Sequence, residues 1–110
     1  MTAYSQKDFD YLLANTIENV KELSLVKGAE YAPNDDRLEN FRRVARTLNL
    51  PMEVVWQVYA AKHWDAIQTY IADILHRRSR YRSEPIYGRV EDLIVYLILL
   101  KAMIQEREDA

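Results

Sequence analysis

The sequence predicts an all-α fold, a four-helix bundle-like single domain over residues 1–110, and three observations carry that expectation. The chain holds only two glycines and three prolines, few breakers for a chain that would have to reverse often. No stretch sustains the alternation of apolar and polar residues that marks a half-buried strand. Apolar residues instead recur every three or four positions in four separate segments, the period of a helix with one buried face. A composition of 49% hydrophobic and 29% charged residues suits a globular domain with a modest core and argues against disorder.

Ser5 opens the first helix, expected over residues 5–27, with Asp8 placed to answer its hydroxyl in a capping box. Phe9, Leu12, Leu13, Thr16, Ile17, Val20 and Leu23 define its buried face. Glu18 and Glu22 point away from that stripe beside Lys21 and read as a solvated surface. Gly28 is expected to stop this helix at Lys27. A loop rich in turn residues, with Pro33 and Asn34-Asp35, leads to the second helix, residues 35–48, capped by Asn34 or Asp35. Its inward residues are Leu38, Phe41, Val44, Ala45 and Leu48.

Pro51 starts the third helix, residues 51–77, at a position where its missing N–H costs nothing. Met52, Val55, Trp56, Tyr59, His63, Ile67, Tyr70, Ile71 and Ile74 form one stripe along it. Ser83 can cap the fourth helix, residues 84–107. Ile86, Val90, Leu93, Leu97, Leu100 and Ile104 are expected as its main inner face, with Arg89, Asp92, Tyr96, Leu99 and Met103 on an adjacent second face. A helix with two occupied faces is sandwiched, either inside its own bundle or at a subunit boundary. The run from Leu93 to Leu100 is apolar in nearly every direction, so a homo-oligomer is expected.

Bulk properties exclude several classes. A formal net charge of −2 provides no field to gather nucleic acid or an anionic membrane. Zero cysteines leave no disulfide framework and no thiolate metal site. The start lacks the apolar core of a signal peptide, and no apolar run approaches the roughly 20 residues of a membrane span. A cytoplasmic protein is expected. The basic run His76-Arg77-Arg78-Ser79-Arg80-Tyr81-Arg82 lacks any accompanying nucleic-acid signature. It reads as a solvated loop, or as a grip on an acidic partner or small phosphate ligand, and nucleic acid is not an expected partner. There is no nucleophile elbow, P-loop, dinucleotide fingerprint or two-histidine zinc motif.

Polar side chains that interrupt the helical pattern mark the candidate site, because sequences break local rules mostly where function requires it. The first block supplies Lys27, Glu30, Tyr31, Asp36, Arg37 and Asn40 as ligand-binding candidates. The second is Lys62-His63, a donor pair able to grip a phosphate, although a histidine inside an apolar stripe also serves as a satisfied core residue. The third contains Glu84, Arg89, Asp92 and Tyr96. Glu30, Asp36 and Asp92, if they converge, could hold magnesium, which prefers oxygen ligands and keeps waters for a phosphate to replace. Several acids also have plainer roles: Asp35 as an N-cap, Glu84 complementing the dipole of the fourth helix, and Asp92 in a pair with Arg89 or Lys62.

These blocks carry a resemblance. Lys27-Gly28-x-Glu30-Tyr31-Ala32-x-x-Asp35-Asp36-Arg37-Leu38-x-Asn40-Phe41, Lys62-His63 and Ser83-Glu84-Pro85-Ile86, with Arg89, Asp92, Tyr96-Leu97 and Leu99-Leu100, resemble a family of small phage and prophage proteins over about residues 10–107. That family has no assigned activity; the resemblance implies a phage-type origin, a nucleotide-related setting and an infected bacterial cytoplasm. Arg89 to Leu97 is more distantly similar to the last metal-binding helix of the MazG and dimeric dUTPase pyrophosphohydrolases. A similar likeness extends to the helical nucleotide-modification-associated domain. Asp92 matches a magnesium-binding aspartate there. Arg89 stands where those enzymes carry an acid, and their Glu-Glu-x-x-Glu is missing.

The expected function is therefore binding of a nucleotide or nucleotide-derived signal. Lys62, His63 and Arg89 would face phosphate and Tyr31 would serve as a stacking platform. The outcome would be either anti-defence sequestration or magnesium-dependent hydrolysis. The alternative is a protein-interaction module that inhibits a host defence or metabolic enzyme through the basic loop around Arg78, Arg80 and Arg82.

Overall fold

The computed structural model describes residues 3–31 and 35–110, and it contains four helices packed as one all-α domain. They are α1 (Gln6–Tyr31), α2 (Glu39–Leu48), α3 (Met52–Leu75) and α4 (Ile86–Asp109). The anticipated capping box forms. Asp8 N–H donates to Ser5 Oγ at 3.0 Å, and Ser5 N–H donates to Asp8 Oδ2 at 3.1 Å, satisfying two of the orphan donors of a helix start.

Other boundaries differ from expectation for identifiable reasons. Gly28 does not end α1, which continues to Tyr31. It makes room instead, because a Cβ there would lie 3.3 Å from Arg37 Nε. Asp36, not Asp35, makes the turn before α2, where its Oδ1 accepts the Leu38 N–H at 3.0 Å; Asn34 lies outside the described residues. Pro51 caps α3 from outside, with extended ψ of 146°. Ser83 makes no cap for α4: Pro85 occupies that position, φ −60° and ψ 145°, its ring holding the dihedral an N-cap needs. Asn49 and Arg77 close α2 and α3 in the left-handed region, φ 54° and 53°. Leu50 N–H reaches back to the Ala45 carbonyl and Arg78 N–H to that of Asp73, which satisfies carbonyls left over at each helix end.

α4 is the central element. It packs chiefly on α3, with α1 across its other flank and α2 against α3. The core comprises Val20, Leu38, Phe41, Ala45, Val55, Val95, Leu99 and Met103. This reverses the expected order of faces on α4. Leu99 and Met103, with Val95, are buried, whereas Val90, Leu97 and Ile104 are exposed and Ile86, Leu93 and Leu100 half-buried. Helical period identified both stripes but could not say which one meets α3. On α1 only Val20 of the expected face is buried; Phe9, Leu12, Leu13 and Ile17 are exposed. The end of the α3 stripe is likewise open at Ile71 and Ile74.

Polar ties fix the helices in register. Trp56 Nε1–H donates to the Tyr96 carbonyl at 2.6 Å, and Arg107 grips Glu53 with both forks at 2.6 and 2.8 Å. Arg42 bonds Asp36 at 2.7 Å and also Glu106, linking α2 to α4. Among the described residues, no helix is long and apolar enough to cross a membrane.

Candidate functional site

All four helical segments contribute to one pocket of about 330 Å³, at the lower end of the small-molecule range of about 300–1,000 Å³. Tyr59, Lys62 and His63 share a face of α3, since positions three and four apart are neighbours on a helix. Phe41 and Asn40 come from α2, Val95, Tyr96 and Leu99 from α4, Lys27 from α1, and Arg37 from the turn before α2.

The wall divides by chemistry. Phe41 lies 5.9 Å from Tyr59 and meets Tyr96 edge-on at 6.3 Å, while the His63 ring sits 5.1 Å from that of Tyr96. These spacings are those of favourable aromatic pairs, and they give the pocket an aromatic side. Lys27, Arg37, Lys62 and His63 supply nitrogen donors. No Asp or Glu is among the described residues lining the pocket. Arg37 Nε is buried there without a hydrogen-bond partner. An unmade bond at a buried polar atom costs about 1–3 kcal/mol, and more for a charged group, so the guanidinium favours an anion beside it.

Behind this wall lies a cluster of charged groups centred on Asp92 and Arg89 of α4. Asp92 Oδ1 is 3.4 Å from Lys27 Nζ, and its Oδ2 is 3.6 Å from His63 Nδ1. Arg89 Nη1 approaches the same imidazole nitrogen at 3.4 Å while its Nε binds Glu84 at 3.0 Å. His63 Nδ1 therefore has an acceptor and a donor as neighbours, and its protonation decides which of them it bonds. Burial lowers the His63 pKa below the ordinary histidine value. Lys62, Arg89 and Lys27 push the same way, and Asp92 opposes them. These surroundings favour the neutral imidazole.

The structure gathers Lys27, Arg37, Asn40, Lys62, His63 and Tyr96 of the sequence-derived candidates at this pocket. Asp92 and Arg89 stand behind it. Asp92 takes Lys27 and His63 as partners, not the expected Arg89 or Lys62. Asp36 is held by Arg42, which lowers its carboxyl pKa, and Glu30 is exposed. The Tyr31 side chain lies outside the described part of the structure. Glu30, Asp36 and Asp92 form no metal cage: among the described residues, no group of three or more His, Asp or Glu side chains is arranged to hold a metal ion.

Sequence reasoning placed Phe41 and Tyr59 in the core and missed their second role as pocket wall. The signal was available for Tyr59, three and four residues before Lys62 and His63. A second omission concerns Asp73, buried on α3. Its carboxylate accepts from Arg80 at 2.7 and 3.2 Å and from Arg82 at 2.9 Å. Arg82 also lies 5.1 Å over the Tyr70 ring. Two cations of the basic run are therefore spent on fastening the α3–α4 connector. An aspartate set among apolar residues just before a run of arginines was the clue.

Comparison with known protein families, characterised proteins and solved structures finds no match to this chain. What stands of the resemblance is its coarse content, a small all-helical protein.

Proposed function

We propose that this protein binds a small anionic ligand with an aromatic ring, of the nucleotide class, in the pocket between its four helical segments. The observation that carries the reading is the composition of that wall: three cationic side chains and an imidazole, an aromatic side, and no described carboxylate. Lys62, exposed on the pocket wall, supplies a point charge and Arg37 a planar donor fork whose Nε has no internal partner. Tyr59, Phe41 and Tyr96 offer apolar surface for a base. Asn40 can donate and accept, which suits a base edge or a ribose hydroxyl.

Capture is better supported than turnover. Of the acids that could bring a metal to the phosphate, Asp36 is engaged with Arg42 and Asp92 with Lys27 and His63, and the exposed Glu30 is not part of the pocket lining. Sequestration needs affinity without an activated water, and the wall provides that. The likeness of the three sequence blocks to small phage proteins supplies a setting, withdrawal of a host signalling nucleotide during infection. In the interaction-module alternative, Arg80 and Arg82 of the basic loop also bond Asp73, while Arg78 is exposed.

The test is calorimetric titration with nucleoside mono-, di- and triphosphates, with inorganic phosphate as a ring-free probe. At least one nucleotide should bind more tightly than phosphate, and Lys62→Ala, at an exposed position, should weaken it about tenfold, a charge-assisted bond of about 1.5 kcal/mol. Binding unchanged in Lys62→Ala, or no nucleotide bound at millimolar concentration, would refute the assignment.

A further inference from the structure

The first three turns of α1 stand off the body of the protein. Residues 3–15 are all exposed, yet Phe9, Leu12, Leu13 and Ile17 continue the helix face that seats Val20 against the core. A helical segment shorter than about 12–15 residues is marginal in water on propensity alone. An apolar stripe on such an arm calls for something to pack against.

α4 offers a matching stripe. Ile86, Val90, Leu93, Leu97, Leu100 and Ile104 follow one another at spacings of four, three, four, three and four, the heptad seam of packed helices. One set, Ile86, Leu93 and Leu100, is half-buried by the protein's own chain. The other set is open: Val90 is 41% exposed, Leu97 51% and Ile104 46%, with Ile98 beside them at 55%. The pocket lies on a different side of the same helix, at Val95, Tyr96 and Leu99.

The total surface says how much cover is lacking. The chain exposes 8689 Å², whereas a compact monomer of 13.0 kDa exposes about 6,300 Å² by the usual scaling with mass. Its radius of gyration is 16.8 Å, against about 13 Å for a compact domain of this length. The excess, about 2,300 Å² per protomer, exceeds the roughly 800 Å² that each partner buries in a standard interface, and for a pair it would be about 4,600 Å², in the range of obligate dimers. With a net charge of only −2, two copies meet little mutual repulsion.

We propose that a second copy of this chain covers this face. The result is a two-fold symmetric dimer in which the α1 arm and the open α4 stripe of each protomer are buried against the other. Two-fold pairing uses the same patch on both partners, and a heptad stripe is self-complementary in that way. This inference is independent of the pocket and would survive its failure.

Sedimentation equilibrium of the full chain at micromolar concentration tests it directly. The expected mass is twice 13.0 kDa, and a wild-type mass of 13.0 kDa would overturn the proposal and leave the face to a different protein. Leu97→Glu and Leu13→Glu, each at a position open to water within the protomer, should both give 13.0 kDa with helical circular dichroism retained. Leu75→Glu, exposed but off the seam, should leave the dimer intact. Leu97→Ala keeps helix propensity and covers the case in which the charged variants misfold. It should raise the dimer dissociation constant at least tenfold, and an unchanged constant would also overturn the proposal.

Discussion

Replacing Gly28 by alanine sets two effects against each other. Within a helix alanine is favoured over glycine by about 1 kcal/mol, and Gly28 lies inside α1 with no positive φ to oppose a side chain. The added Cβ, however, would sit 3.3 Å from Arg37 Nε and 3.5 Å from Arg37 Cδ, at or inside the optimal contact distance of about 3.5–4.0 Å. Those atoms lie mid-way along the side chain, so the guanidinium must shift. Gly88 is the internal control: it lies in α4 with nothing within 4 Å of its Cβ position, and Gly88→Ala should raise stability by about 1 kcal/mol. Gly28→Ala should gain less than Gly88→Ala and, alone of the two, weaken nucleotide binding. If displacement forfeits most of one charge-assisted bond of about 1.5 kcal/mol, the loss is roughly tenfold. Urea unfolding at one fixed protomer concentration gives the first comparison, since association would shift stability by mass action; a binding titration gives the second. Equal stabilisation in both variants together with wild-type affinity in Gly28→Ala would show that Arg37 is not pinned against α1 in the pocket.

Two further outcomes follow from the buried polar groups. Because the folded state lowers the His63 pKa, the unfolded chain binds a proton first as pH falls. Stability should therefore decline as pH drops below about 6.5, the ordinary histidine value. The carboxylates of Asp36, Glu53 and Glu106, held low by Arg42 and Arg107, add their own loss only below about pH 4.5. Urea midpoints between pH 5.5 and 7.5 should slope upward in the wild type and flatten in His63→Gln; a flat wild-type profile would contradict the assignment. Asp73→Asn should loosen the α3–α4 connector by removing the acceptor of Arg80 and Arg82, so that trypsin cleaves it faster than in the wild type. Equal cleavage rates would mean that the connector is held by other contacts.

Much of the fold was legible because it depends on local chemistry. The Ser5–Asp8 capping box, four apolar stripes of helical period and the break around Pro51 are written in residues a few positions apart, whereas the start of α4 at Pro85 was misplaced at Ser83. Part of the candidate pocket's lining was legible for a similar reason: Lys27, Arg37, Asn40, Lys62, His63 and Tyr96 stood out as polar or ring-bearing groups in or beside apolar faces. What they would meet was not legible. Asp92 found Lys27 across the bundle, not its neighbour Arg89, and Asp36 went to Arg42.

The sequence by itself determined which segments become helices and which residues share a face, since helical period and capping act within a turn or two. Tertiary structure alone decided which of the two α4 faces meets α3, and that choice leaves Val90, Leu97 and Ile104 open while turning Tyr96 and Leu99 toward the pocket. It also decided that Gly28 is a contact surface for Arg37 and not a helix stop. Both outcomes depend on atoms brought together from different helices, and the spacing of residues along one helix carries no information about its partner.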